Sequence, residues 1–306
     1  MRAQRDLFIS ELTKQAANDA AIVFLSADFG APALDKFVAT LPEQFFHLGI
    51  SEQNMIDVAI GLALQGKKVF TYAMAPFVVM RCAEQHKLSA LMELPITTIV
   101  TGVGLGYANA GPTHYATEDL GVAMGLIGTS IYTISDPSMA AACATYLVDN
   151  PKHSFVRLDR MANGDLDGRQ PVDFQKGYRT FFDGRNLAVI SHGYMLSKIV
   201  SLAHANPLLK DRLTIIDLFC SKPIAPDFIA SLNAYDGVLV VDEQVEQSSL
   251  GLFILPQMLK FGFDKKVKTL SLSEKFMFGN SGRDALIAEA GLSDETILNS
   301  MLEMSE

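Results

Sequence analysis

The sequence predicts two doubly wound α/β domains, each with a mainly parallel sheet. Three observations carry that expectation. Short continuous apolar runs, such as residues 21–26 (AIVFLS) and Ile96–Thr101 (ITTIVT), have the length and composition of strands buried on both faces. Such runs alternate with helical stretches through both halves of the chain, the order that builds parallel sheets through helical crossovers. The alternation is interrupted at residues 161–170 (MANGDLDGRQ), a polar, glycine-containing stretch that reads as a linker. Domains are therefore expected at 1–166 and 167–306.

Taken in order, residues 2–18 have the pattern of an amphipathic helix, with Leu7, Ile9, Leu12 and Ala16 on one face, ended by Asp19. Strands are expected at 21–26 and 45–48. Ser51 is placed to cap a helix that runs to Gln65 and stops at Gly66. A strand at 68–72 precedes a long helix at 77–92. The strand Ile96–Thr101 empties into a glycine-rich loop ending at Gly111, and a helix follows from about Thr117. Residues 131–134 form the next strand. Asp136 and Pro137 open a helix with a capping side chain and a proline at its first position. Residues 155–158 close this half. Beyond the linker, strands at 187–191, 213–217, 238–241 and 267–270 alternate with helices from about Ser197 and near Asp227 and Ser249.

Composition excludes several classes. At 306 residues and 49% hydrophobic, the chain has ample apolar material for a core, so it is not disordered, collagen-like or low-complexity. A net charge of −9 disfavours nucleic acid and anionic membrane as partners. Cys82, Cys143 and Cys220 are scattered, with no metal-spaced pair and no disulfide framework, which suits a reducing cytoplasm. The first residues mix both charge signs and show no signal-peptide core. The longest uncharged stretch, roughly 121–135, is short for a membrane span and broken by glycines. A soluble cytoplasmic protein is expected.

Ligands of open α/β sheets bind beyond the carboxyl ends of the strands, so the loops after Ser26, Leu48, Tyr72, Thr101 and Leu158 are the ones to inspect. Glu52 opens a helix that continues as MIDVAIGLAL, so its carboxyl group is expected to be buried. An acid at a helix start is commonly only a partner for the helix dipole, but a buried one beneath a pocket is a candidate protonated hydrogen-bond donor. His114 ends the glycine-rich loop and is a candidate acid, base or hydrogen-bond donor, against the plainer reading of a loop histidine. Arg157 and Arg160, in and just past the last strand of the first half, are candidate clamps for phosphate or carboxylate. Phe77, alone, reads as core.

These pieces stand in the order found in the transketolase family of thiamine diphosphate enzymes, which the chain resembles over nearly its whole length. The segments that carry the resemblance are 25–30 (LSADFG), 48–55 (LGISEQNM), 72–85 (YAMAPFVVMRCAEQ), 111–119 (GPTHYATED) and 155–160 (FVRLDR). The match is to that family's pyrimidine-binding and C-terminal domains. It implies that Glu52 hydrogen-bonds the aminopyrimidine ring nitrogen of thiamine diphosphate and that Phe77 stacks on the same ring. It also implies that His114 contacts the substrate, that Arg160 binds the substrate phosphate, and that Asp28 lies near the cofactor and a subunit interface. Two positions depart from the family pattern. Ala110 replaces the usual Asp before G-P-T-H, and Gly102 stands where His is common, so an unusual ketose or aldehyde is expected.

The family motif that holds the diphosphate and its Mg2+ has no counterpart; Gly164-Asp165-Leu166 lacks the second glycine. The resemblance therefore implies a C-terminal subunit of a split transketolase, working with a separate N-terminal subunit that carries the diphosphate and metal motif. A heterotetramer, or a homodimer core, is the implied assembly, acting on a sugar or sugar phosphate. The alternatives are the beta chain of a 2-oxoacid dehydrogenase and a non-catalytic interaction subunit on the same fold.

Overall fold

A seven-stranded sheet organises the first half, in the order Cys220–Lys222, Ser130–Thr133, Ser154–Leu158, Ile96–Thr101, Lys68–Met74, Ile22–Ser26 and Phe45–His47. All neighbours in it are parallel except the first pair, Cys220–Lys222 against Ser130–Thr133. The second half builds a five-stranded sheet in the order Lys266–Leu272, Gly237–Val245, Leu187–Ser191, Leu213–Asp217 and Arg179–Phe181, with only the last strand antiparallel. The computed structural model describes residues 2–28, 32–160, 162–166, 168, 171–279 and 281–306. Two α/β units with mainly parallel sheets are thus present, as the alternation of elements requires.

The apolar runs form strands because both of their faces are covered. Every residue of Ile22–Ser26, Ile96–Thr101 and Ser154–Leu158 is buried. The helix Gln4–Ala16 packs Phe8, Ile9 and Leu12 against Met139, Ala140, Cys143 and Leu147 of the helix Pro137–Asp149. Phe8, not Leu7, takes the inward position. Asp136 caps the latter helix, its side chain accepting from the Met139 N–H at 2.9 Å. Ser51 sits at the start of Glu52–Leu64 but makes no side-chain cap; its carbonyl accepts from the Met55 N–H instead. The single helix expected at 77–92 is two, Ala75–Arg81 and Ala83–Leu91, separated at Cys82, where ψ is +18°. The linker is only partly described: residues 161, 167, 169 and 170 lie outside the described residues, as does one side of the expected 166/167 boundary. Its Ala162–Asn163 pairs antiparallel with Arg2–Ala3.

The halves are not separate bodies. One core runs through both, joining Val23, Met55 and Val100 to Ala188, Ile216 and Leu250. Leu105, Ala108 and Tyr115 of the glycine-rich loop pack into the core of the second half. Three buried polar networks cross the same boundary. Arg179 reaches Asp136 at 2.5 Å and Asp217 at 3.0 Å. Gln244 donates to the Ala116 carbonyl and accepts from the Leu120 N–H. Arg283 reaches Glu243 at 2.6 Å and Asp159 at 2.6 Å. Among the described residues, no helix is long and apolar enough to cross a membrane.

Two buried histidines sit under the first sheet and face each other with ring centroids 5.7 Å apart. The Val78 carbonyl can only accept, so His86 Nε2 carries the proton of that 3.2 Å contact, and both rings fit the neutral form. Burial pushes His86 down to about 3 and His153 down to about 4. In the unfolded chain each titrates near ~6.5, so below that pH the unfolded chain takes up protons that the folded chain refuses. The stability held above about pH 6.5 is expected to fall as pH drops toward 4, by about 2–4 kcal/mol between 6.5 and 5. Urea midpoints measured across that range should show the slope, and a His86→Asn, His153→Asn double variant should flatten it.

Candidate active site

Beyond the carboxyl ends of five adjacent parallel strands lie five of the residues singled out in the sequence, one after each strand. Across the sheet, Arg160 follows Ser154–Leu158, His114 lies in the loop after Ile96–Thr101, and Phe77 follows Lys68–Met74. Asp28 follows Ile22–Ser26 and Glu52 follows Phe45–His47. Strand order, not sequence order, makes them neighbours along one edge.

Glu52 is 2% exposed at the first position of its helix. Its partner lies within the segment 72–85 but is not singled out by the sequence. Arg81 Nη1 donates to Glu52 Oε2 at 2.5 Å, and Arg81 itself is 44% exposed. Glu52 Oε1 makes no side-chain or backbone bond among the described residues. The Arg81 guanidinium also lies 5.0 Å from the Phe77 ring centroid, one helical turn back at i−4. That spacing within 72–85 was the available signal for Arg81. Phe77 is half-buried rather than core, and its ring meets His114 edge-on, with centroids 5.5 Å apart at 79°. Glu52, Arg81, Phe77 and His114 therefore form one contiguous wall. His114 is half-buried too, and its Nδ1 is 2.8 Å from the Thr113 hydroxyl. Burial first, and then the Glu52 carboxylate, push the Cys82 thiol beside this wall up to about 12.

Asp28 is half-buried. The Ser26 hydroxyl clamps its backbone, donating to the Asp28 carbonyl at 2.9 Å and accepting from its N–H at 3.2 Å. Residues 29–31, which continue LSADFG, lie outside the described residues.

The two arginines separate. Arg157 is 3% exposed and committed: Nε and Nη2 donate to the two oxygens of buried Asp119 at 2.7 and 3.0 Å, and Nη1 donates to the Thr133 hydroxyl at 2.8 Å. The expectation that Arg157 grips a substrate anion is therefore corrected. Its bidentate pair spans the interior of the first half. Arg160 is exposed and lies over the Tyr107 ring, 4.5 Å from its centroid. It lines a cavity of about 400 Å³ with Tyr107, Asn109, Ala110, Tyr194 and Asp284. Ala110, one of the two departures from the family pattern, thus faces the same space as Arg160.

The cavity is built from both halves. The Leu105 N–H donates to Glu243 at 3.1 Å, and Arg283 bridges Glu243 to Asp159, the residue before Arg160. The backbone at Gly104 approaches so closely that a Cβ there would stand 2.5 Å from Glu243 Oε2, with φ at +55°. Gln4 adds a further hold, its Oε1 accepting from the Asp159 N–H at 2.8 Å.

Residues 2–164 match the family model described as "Transketolase, pyrimidine binding domain". The chain belongs to the transketolase family. Residues 180–297 match "Transketolase, C-terminal domain". An apulose-4-phosphate transketolase subunit from Phocaeicola vulgatus is 28% identical, covering 99% of this chain and 97% of that protein. A putative transketolase C-terminal section from Methanocaldococcus jannaschii is 26% identical over 96% of this chain and 92% of its own length. A split gene transketolase, solved as an inactive beta4 tetramer, superposes with a TM-score of 0.84 at 22% identity, covering 99% of this chain and 98% of that one. Transketolase from Campylobacter jejuni shares the fold with a TM-score of 0.80 at 19% identity, but this chain spans only 46% of it. The chain therefore carries the pyrimidine-binding and C-terminal domains of that family, over the same span as these two subunit-length relatives.

The two arginines give a direct test of their roles. Arg157→Leu strands the Asp119 carboxylate in the interior and should cost about 3–5 kcal/mol in urea unfolding. Arg160→Leu, at an exposed position, should change stability by no more than about 0.5 kcal/mol.

Proposed function

We propose that this chain and a separate diphosphate-binding subunit together transfer a two-carbon ketol unit from a ketose phosphate to an aldehyde acceptor. The observation that carries the proposal is the continuous wall of Glu52, Phe77 and His114 along the carboxyl edge of the first sheet. A buried carboxyl group with one oxygen left over to donate, beside a half-buried aromatic ring, fits the ring nitrogen and flat face of an aminopyrimidine. Thiamine diphosphate, when bound, supplies the nucleophilic carbon and the electron sink that this reaction needs.

Each residue then has one task. Glu52 holds a proton on Oε1 and donates it in a hydrogen bond to the pyrimidine ring nitrogen, while Arg81 holds Oε2. Phe77 stacks on the pyrimidine face. His114 hydrogen-bonds the substrate oxygens where charge develops, and its ring is held by Phe77 and Thr113. Arg160 binds the substrate phosphate in the cavity between the halves. Asp28 lies near the cofactor at a subunit boundary. Ala110 presents a methyl group where a carboxylate would read a substrate hydroxyl, so the acceptor or donor differs there from a simple sugar phosphate.

The diphosphate and its Mg2+ fall to the partner. The matching family models cover the pyrimidine-binding and C-terminal domains, which supports this division. Two chains of each kind would form the working heterotetramer, in the cytoplasm.

Glu52→Gln in the reconstituted complex should lower kcat for ketol transfer by about 100-fold or more while leaving the circular dichroism spectrum unchanged. An unimpaired Glu52→Gln complex would sink the proposal. So would decarboxylation of a 2-oxoacid by the complex without ketol transfer, the behaviour of a 2-oxoacid dehydrogenase.

A further inference from the structure

We infer that Tyr107 is a positioning residue for the substrate phosphate, acting through Arg160. The inference rests on the reading of Arg160 as the phosphate ligand. Three observations lead to it.

The first is what Arg160 lacks. Among the described residues, the buried arginines are closed by carboxylates: Arg157 by Asp119, Arg179 by Asp136 and Asp217, and Arg283 by Asp159 and Glu243. Arg160 forms no such pair among the described residues. Its guanidinium lies over the Tyr107 ring instead. A π face fixes the plane of a guanidinium without using its N–H donors, so the donors stay available for an anion.

The second is what holds Tyr107. A Cβ built at Gly102 would stand 2.5 Å from Tyr107 Cδ2 and 2.9 Å from Cε2, and Gly102 has φ at +81°. The ring therefore fills the volume into which a side chain at position 102 would project. The glycine that departs from the family pattern and the tyrosine five residues on are two parts of one arrangement. Leu105 and Ala108, on either side of Tyr107, are buried in the core of the second half, so the platform is anchored across the boundary.

The third is the cavity. Tyr107 and Arg160 share its lining with Asn109, Ala110 and Tyr194, and its volume of about 400 Å³ suits a small phosphorylated sugar. Tyr107 thus sets the direction from which Arg160 meets the terminal phosphate of the ligand.

The test is steady-state kinetics of the reconstituted two-subunit complex with a ketose phosphate and with the same ketose unphosphorylated. Tyr107→Ala should raise KM for the phosphate ester about 3–10-fold more than KM for the free ketose, with kcat changing far less. Tyr107→Leu fills the same volume without a π face and should behave alike, which covers the case that the alanine variant unfolds. Tyr107→Phe keeps the ring and should restore the wild-type ratio. Gly102→Val should displace the ring and reproduce the alanine result. Equal KM increases for both substrates would reduce Tyr107 to a packing residue and overturn the inference. If Arg160→Ala abolishes the preference for the phosphate ester while Tyr107→Ala and Tyr107→Leu keep it, the reading of Arg160 stands and that of Tyr107 falls. If Arg160→Ala leaves the preference intact, both fall.

Discussion

Arg283 lies 124 residues from Asp159 and 40 from Glu243, yet its guanidinium donates to both from a buried position. This triad ties the end of the strand Ser154–Leu158 to the second half of the chain. Glu243 spends its remaining capacity on the Leu105 N–H, so the glycine-rich loop is tied to the same point. The cavity beneath Arg160 exists because these attachments hold its walls at a fixed separation. A cluster of this kind gains stability only when every charge in it is satisfied, because the desolvation of three buried ions opposes their attraction. Here each carboxylate has Arg283, Glu243 has a backbone N–H as well, and the guanidinium stacks 3.9 Å from the Tyr194 ring centroid.

The same economy of placement explains how a few loops assemble a site. Parallel strands all present their carboxyl ends on one edge, and the crossover helices return the chain to the opposite edge each time. Residues separated by up to about a hundred positions therefore meet without any dedicated scaffold. Glu52, at the start of one crossover, and Arg81, at the end of the short helix Ala75–Arg81, come together because their strands are separated by only one other, Ile22–Ser26. The break at Cys82 ends the first helix there and lets the chain turn back over the sheet.

Much of this was legible in the sequence, and the omissions have physical causes. Strands buried on both faces announce themselves as apolar runs, so Ile22–Ser26, Ile96–Thr101 and Leu187–Ser191 were all expected. Arg179–Phe181 and Cys220–Lys222 were not, since three-residue edge strands with mixed composition carry no periodic signal. Glu52, Phe77 and His114 stand out in the sequence because the motifs that contain them are local, whereas Arg81 beside them does not. Arg157 was misjudged because an arginine in a strand looks the same in sequence whether it faces a ligand or Asp119, 38 residues away. Glu243, Arg283 and the fit of Tyr107 against Gly102 depend on tertiary contacts that no spacing rule encodes.

The strand Cys220–Lys222 has a wider meaning. It leaves the second half to close the outer edge of the first sheet, capping Ser130–Thr133, and Lys222 reaches further to donate to the Met124 carbonyl at 2.8 Å. The family models meet across residues 164–180, which suggests a natural seam for shuffling one module against another. The interlocked edge contradicts that seam. A second module grafted from elsewhere would have to bring an edge strand that matches its new host, so the sheet edge and not the linker sets where one module ends.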